Sequence, residues 1–205
     1  MNKENTTTIR DAIRDALKEA LEDERVFLIG EDIGPYGGAY AVTKGFHKEF
    51  GSERIKDSPL SESVFTGAAA GAAMVGLRPI VEIMTINFSL LALDQIVNNA
   101  TKVRYMSGGQ INCPMIIRTV TGGGGQLAAT HSQSLEGWFA TLPGMKVVAP
   151  STPQDAFDLF RACREEEDPV LFLEHALLYG KRGAFNPNNP KSSLGQAAIR
   201  RSGKD

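Results

Sequence analysis

Residues 57–88, DSPLSESVFTGAAAGAAMVGLRPIVEIMTINF, decide how the rest of the chain is read. The segment opens polar, and Ser61 is a residue type that caps a helix N-terminus. Glu62 then falls in the first turn, where a negative charge complements the helix dipole. Next come Gly67, Ala68, Ala69, Ala70, Gly71, Ala72 and Ala73, side chains small enough for another backbone to approach closely. Each glycine costs a helix roughly 1 kcal/mol against alanine, so the run implies compensating packing. Gly76 ends the helix, and Pro79 starts a new element. Residues 80–84 read as a buried strand interrupted by Glu82, which alternates with Val81 and Ile83 and so faces a wet edge or a partner. Glu62 carries two readings: a stabilising helix-terminal acid, or a carboxylate placed for chemistry where a loop enters a packed helix.

Upstream, Thr7 or Thr8 caps a helix to about Leu21, with Ile9, Ile13, Ala16, Leu17, Ala20 and Leu21 at helical spacing. Residues 26–29 form a short apolar strand. The loop 31–40, EDIGPYGGAY, puts two acids and a glycine-rich turn at the carboxyl end of that strand, the usual ligand edge of an α/β sheet; a plain surface turn is the competing reading. A short helix is expected over 42–50 and a strand over 54–56.

Downstream, Ser89 is expected to cap one long helix over 90–106, carrying a dense polar set in Asp94, Gln95, Asn98 and Asn99. A strand follows at 114–119, then TGGGGQLAATHSQ. Gly122 to Gly125 fit neither a dinucleotide fingerprint nor a P-loop; they mark a mobile or tightly folded loop. His131, just beyond, is an acid/base candidate or an ordinary surface histidine. A helix over 135–139 and a strand over 146–149 come next. Thr152 with Pro153 is a strong helix start, and the last strand spans 170–173. From Tyr179 the Pro/Asn/Gly-rich composition reads as a linker, with an edge strand at 196–200. Helices alternate with short apolar strands throughout, which argues for a mainly parallel sheet covered on both faces, a three-layer α/β fold.

The 205 residues carry 22 Lys and Arg against 24 Asp and Glu. That balance gives no basic excess for a nucleic-acid partner. No apolar stretch approaches bilayer-spanning length and no signal-peptide pattern opens the chain. Cys113 and Cys163 have no metal-like spacing; two reduced thiols of a cytosolic protein are the simplest reading, with a disulfide left open.

The segments GEDIGPYGGAYAVTKG, SPLSESVFTGAAAGAAMVGLRPIVEIMTINF, YMSGGQ and THSQSLEGWFATLPGMKVVAPSTPQDA resemble the beta subunits of the thiamine-dependent decarboxylating component of 2-oxo acid dehydrogenase complexes. The resemblance is closest to pyruvate dehydrogenase, with acetoin dehydrogenase a near relative, and it spans residues 8 to 205. It implies a transketolase-like pyrimidine-binding domain over 1–178, then a linker and the start of a further, missing C-terminal domain over 179–205. It also implies that thiamine diphosphate lies between alpha and beta subunits, the alpha subunit holding the diphosphate and magnesium. The chain alone would then be inactive.

By position, Glu62 matches the family glutamate that shares a proton with the aminopyrimidine nitrogen opposite the exocyclic amine. That sharing makes the amine basic enough to deprotonate the thiazolium carbon, which explains the need for a sheltered carboxylate. Met84 and Phe88 match apolar contacts to the pyrimidine. Leu91 stands where a glutamine is common. His131 matches the histidine tied to substrate handling and lipoyl acylation. Met115, Cys163, Glu166 and Asp168 match a structural potassium site, although the run EEED departs from the usual pattern. Implied partners are the alpha subunit, a second beta subunit and the lipoyl acyltransferase core, with no nucleic acid and no membrane. The setting is the cytoplasm, or an organelle matrix in a eukaryote. The competing function is a truncated, non-catalytic domain that only binds a partner.

Overall fold

The computed structural model describes residues 5–123, 125–189, 194–196, 199 and 201–204. Their elements run β1 (Thr6–Thr8), α1 (Ile9–Ala20), β2 (Val26–Glu31), α2 (Phe46–Phe50), β3 (Ile55–Ser58), α3 (Glu62–Met74) and β4 (Arg78–Ile83). After two irregular helical turns follow α4 (Val103–Met106), β5 (Ile116–Thr121), α5 (Glu136–Ala140), β6 (Lys146–Val148), α6 (Pro153–Cys163), β7 (Val170–His175) and β8 (Arg182–Ala184).

Six strands form one sheet in the order β3-β2-β4-β5-β7-β6, and every neighbouring pair is parallel. Side chains alternate across it, as a pleated strand requires. Leu28, Ile80, Ile116, Val170 and Phe172 join a core with α1 and α6. Val81, Ile83, Ile117, Leu171 and Leu173 join a second core with α3 and α5. Both faces are covered, so the strands read as near-continuous apolar runs. The chain direction reverses at β2, which lies between β3 and β4. A crevice therefore opens at the carboxyl ends of β2 and β4, the switch point where open α/β sheets take ligands.

The strongest local signals hold. Thr8 caps α1, its side chain accepting from Asp11 N at 3.0 Å, and Thr152 caps α6 by accepting from Asp155 N at 3.1 Å. Other expectations are corrected. Ser61 precedes α3 without a side-chain cap; its main-chain carbonyl accepts from Val64 and Phe65 instead. Helix α2 begins at Phe46 rather than at 42, because Gly45 in a left-handed conformation turns the chain just before it. The long helix expected over 90–106 is three pieces: a 3-10 turn Ile86–Ala92, a π segment Gln95–Ala100, and α4. Thr85 caps the first piece, accepting from Asn87 N, while the Ser89 hydroxyl turns back onto Ile86 O at 2.6 Å. In the second, Thr101 N and Oγ1 both reach Ile96 O, which widens the turn. Glu82 faces neither water nor a partner; it is buried.

The stretch expected to be linker starts as part of the domain. Tyr179 is buried in the α1/α6 core, and β8 pairs antiparallel with β1, Thr6 opposite Ala184. The strand expected over 196–200 lies largely outside the described residues.

Candidate functional site

Helix α3 begins directly after β3, and this places Glu62 at the mouth of the crevice. The residue is only 4% exposed, yet no hydrogen bond or ion pair reaches its carboxylate among the described residues. Its charged neighbours are acidic. Glu31, at the end of β2, has its pKa raised first by burial and then by Asp32, Glu62 and Asp57. Asp57, at the end of β3, accepts from Gly34 N at 3.2 Å and so anchors the start of the glycine-rich loop. One turn along α3, Thr66 Oγ1 is buried with no hydrogen-bond partner. The crevice therefore presents carboxylate acceptors and one unpaired hydroxyl, which suits a ligand carrying N–H groups.

Met84 and Phe88 follow β4 at the same end of the sheet, both half-buried. Phe88 packs against the α3-side core and meets the His131 ring edge to face, 5.2 Å between centroids. His131 is exposed, with Nδ1 3.0 Å from Thr130 Oγ1. Leu91 is 61% exposed on the 3-10 turn. Glu62, Met84, Phe88 and His131 thus lie around one sheet edge.

The four residues matched to potassium do not present a cage of side chains. Met115 belongs to the α3-side core and Cys163 to the opposite one. Burial pushes the Cys163 thiol up to about 12. The Glu166 carboxylate is held by Lys146, and Asp168 by Arg104 at 2.9 Å. The main-chain oxygens of Met115, Cys163 and Glu166 accept from Val170 N, Glu166 N and Arg78 Nη1. Among the described residues no group of three or more His, Cys, Asp or Glu could hold a metal ion. Their side chains therefore form no cation cage, and each of these main-chain oxygens keeps a second lone pair.

Sequence reasoning missed the ion cluster behind the crevice. Arg118 on β5, 2% exposed, holds Glu174 of β7 with two bonds of 2.7 Å and also contacts Glu82 of β4. The Tyr179 hydroxyl donates to the same Glu174 carboxylate. Burial raises the Glu82 pKa, opposed by Arg118 and assisted by Glu174. Gly38 of the glycine-rich loop lies on this cluster: at φ +82, a Cβ there would stand 3.2 Å from Glu82 Oε1. The available signal was one charge inside each of three apolar strands, with Glu82 and Arg118 in register.

The comparisons with known proteins agree with this fold. The family model described as "Transketolase, pyrimidine binding domain" matches residues 5–181. The chain belongs to that family. The pyrimidine-binding domain is homologous to pyruvate dehydrogenase E1 beta subunits. It is 45% identical over 203 residues to the mitochondrial subunit beta-1 of Arabidopsis thaliana, covering 97% of this chain and 56% of the relative. It is 46% identical over 206 residues to the beta subunit of Rhizobium meliloti (strain 1021), covering 98% of this chain and 44% of the relative. The chain therefore spans about half the length of the curated relatives it matches. A solved structure titled "Split gene transketolase, inactive beta4 tetramer" superposes with a TM-score of 0.75 at 24% identity, covering 96% of this chain and 60% of that one. At that identity the match speaks for the fold alone. No described helix is long and apolar enough to cross a membrane.

Proposed function

We propose that this domain supplies the aminopyrimidine half of a thiamine diphosphate site in a beta subunit of pyruvate dehydrogenase, serving oxidative decarboxylation of pyruvate and acetyl transfer to a lipoyl group. The observation that carries the reading is Glu62: a buried carboxylate at the crevice with acidic neighbours and no bonded donor among the described residues. Such a carboxylate is suited to share a proton with a ring nitrogen. The residues present fit that group on chemical grounds, with Glu62 as the polar contact and Met84 and Phe88 as half-buried apolar walls beside it.

When bound, thiamine diphosphate supplies the carbon nucleophile that attacks the 2-oxo acid carbonyl. Glu62 holds a proton at the pyrimidine edge and makes it available during activation. Glu31, Asp32 and Asp57 keep that edge electronegative. Phe88 limits water at the ring, and His131 stands beside it as the acid/base group facing substrate. The diphosphate and its magnesium fall to an alpha subunit, with a second beta subunit and the lipoyl acyltransferase core as further partners. The setting is the cytoplasm or, in a eukaryote, an organelle matrix; the Arabidopsis relative carries "mitochondrial" in its name.

The test is Glu62→Gln in the assembled alpha–beta complex, read by hydrogen–deuterium exchange at the thiazolium carbon. Losing the proton partner should slow exchange on the order of 10²- to 10⁴-fold. The stability of the isolated chain should not fall, because the carboxylate has no bonded partner to lose. Unchanged exchange in a cofactor-loaded complex would make Glu62 a helix-terminal acid and sink the reading.

A further inference from the structure

Residues 122–135 connect β5 to α5 and carry His131. The two ends of this loop are fixed: Thr121 Oγ1 contacts the Glu136 carboxylate, and Gly122, at φ +91, lies where a Cβ would stand 2.6 Å from the His175 ring. Between them the chain has little of its own. Gln126 and Ala128 hold left-handed conformations, and the main-chain bonds Gln126 N to Gly123 O and His131 N to Ala128 O stay inside the loop. Residues 125–131 are all exposed. Among the described residues, one hydrogen bond ties the loop interior to the rest of the molecule: Gln133 N donates to Asn87 Oδ1 at 3.0 Å.

Asn87 is built for that bond. It is 7% exposed, and Thr85, itself buried, receives both its main-chain N–H and its side-chain Nδ2. Since Nδ2 must donate to Thr85 Oγ1 and Oδ1 must accept from Gln133, only one orientation of the amide satisfies both partners. The neighbouring residue, Phe88, takes the edge-to-face contact with His131. One short turn thus holds the loop by its main chain and the imidazole by its ring.

We propose that Asn87 is a positioning residue: it fixes the 122–135 loop so that His131 stays against Phe88 and faces the same crevice as Glu62. It acts through the Gln133 amide and touches no reacting group. The geometry is independent of the activity, but the catalytic consequence rests on the function proposed above.

The experiment is amide hydrogen exchange and imidazole NMR on the full chain, for wild type, Asn87→Ala and Asn87→Asp. In wild type the Gln133 amide should exchange more slowly than those of Leu127 and Thr130, which lie in the same loop. Removing the acceptor in Asn87→Ala should speed Gln133 exchange on the order of tenfold and move the His131 ring resonances toward those of a free imidazole. Asn87→Asp keeps an acceptor for Gln133 and can take a hydrogen from the Thr85 hydroxyl, so it should restore both signals. If Asn87→Ala does not fold, the wild-type comparison and the Asp variant still decide. A Gln133 amide as fast as Leu127 in wild type, or an Asp variant as loose as the folded Ala variant, overturns the proposal.

In the assembled complex, the cost of Asn87→Ala should fall on kcat rather than KM and should vanish in a His131→Ala background, because the two substitutions break one unit. Additive costs would overturn the coupling to His131. A complex that does not decarboxylate pyruvate would overturn the functional reading while leaving the exchange result standing.

Discussion

Two groups of carboxylates lie toward the carboxyl end of the same sheet. On the α1/α6 side, Glu82 and Glu174 share the guanidinium of Arg118, with Tyr179 completing Glu174. At the crevice, Glu31, Asp32, Asp57 and Glu62 gather, and no ion pair reaches them among the described residues. The first group has its counter-ion built in. The second is left electronegative and pays for that in stability, the expected mark of groups kept for an incoming partner. Acid content does not separate the two groups; the presence of an internal cation does.

The sharpest way to break this contrast is to remove the cation. Arg118→Met leaves two buried carboxylates uncompensated and should lower unfolding free energy by about 3–5 kcal/mol. Chemical denaturation at neutral pH measures it, and a loss under about 1 kcal/mol would mean that water already reaches the cluster. A smaller effect is expected at Glu82. Burial raises its folded pKa above the usual 4.5, so the folded state holds the proton more tightly than the unfolded chain. Its contribution to stability is complete at low pH and declines as pH rises from the unfolded value through the folded one. Glu82→Gln should remove that declining limb and change neutral-pH stability by about 1 kcal/mol, since Arg118 keeps Glu174. Unfolding curves between the two values would show whether the limb persists in the variant.

The smallest effect belongs to the crevice. Glu31 is also raised above 4.5, by burial first and then by its acidic neighbours, so stability again declines as pH climbs past the unfolded value. Glu31→Gln should gain about 0.5 kcal/mol at neutral pH, the scale of a relieved like-charge pair, and gain nothing where the carboxyl is already protonated. A loss at neutral pH would reveal a donor on Glu31 and make the crevice group resemble the Arg118 cluster.

What the sequence made legible follows the range of the forces involved. The strands, the caps at Thr8 and Thr152 and the three-layer architecture depend on near neighbours and on periodicity, and these carried through. Placing Glu62 at the start of α3 was local as well. Its acidic company was not, because Glu31 comes from a different strand and meets it only through the β2–β3 pairing. The break of the 90–106 helix was equally hidden. Its apolar spacing suits one continuous helix, whereas the wide turn at Ile96 forms where the Gln95 side chain lies against Gly67 of α3, its Oε1 2.9 Å from where a Cβ would stand. Arg118 needed the register of three strands before its two carboxylates could be found.

The pairing of β1 with β8 has a mechanical side. Thr6 faces Ala184, Thr7 faces Gly183 and Thr8 faces Arg182, and Phe185 N extends the ladder to Asn5 O. The two strands therefore leave the ladder side by side from the same end. Tension applied between Asn5 and Phe185 would load one rung at a time, peeling the clasp like a zipper instead of shearing all its bonds together. The six-stranded sheet stands outside that load path until the last rung opens.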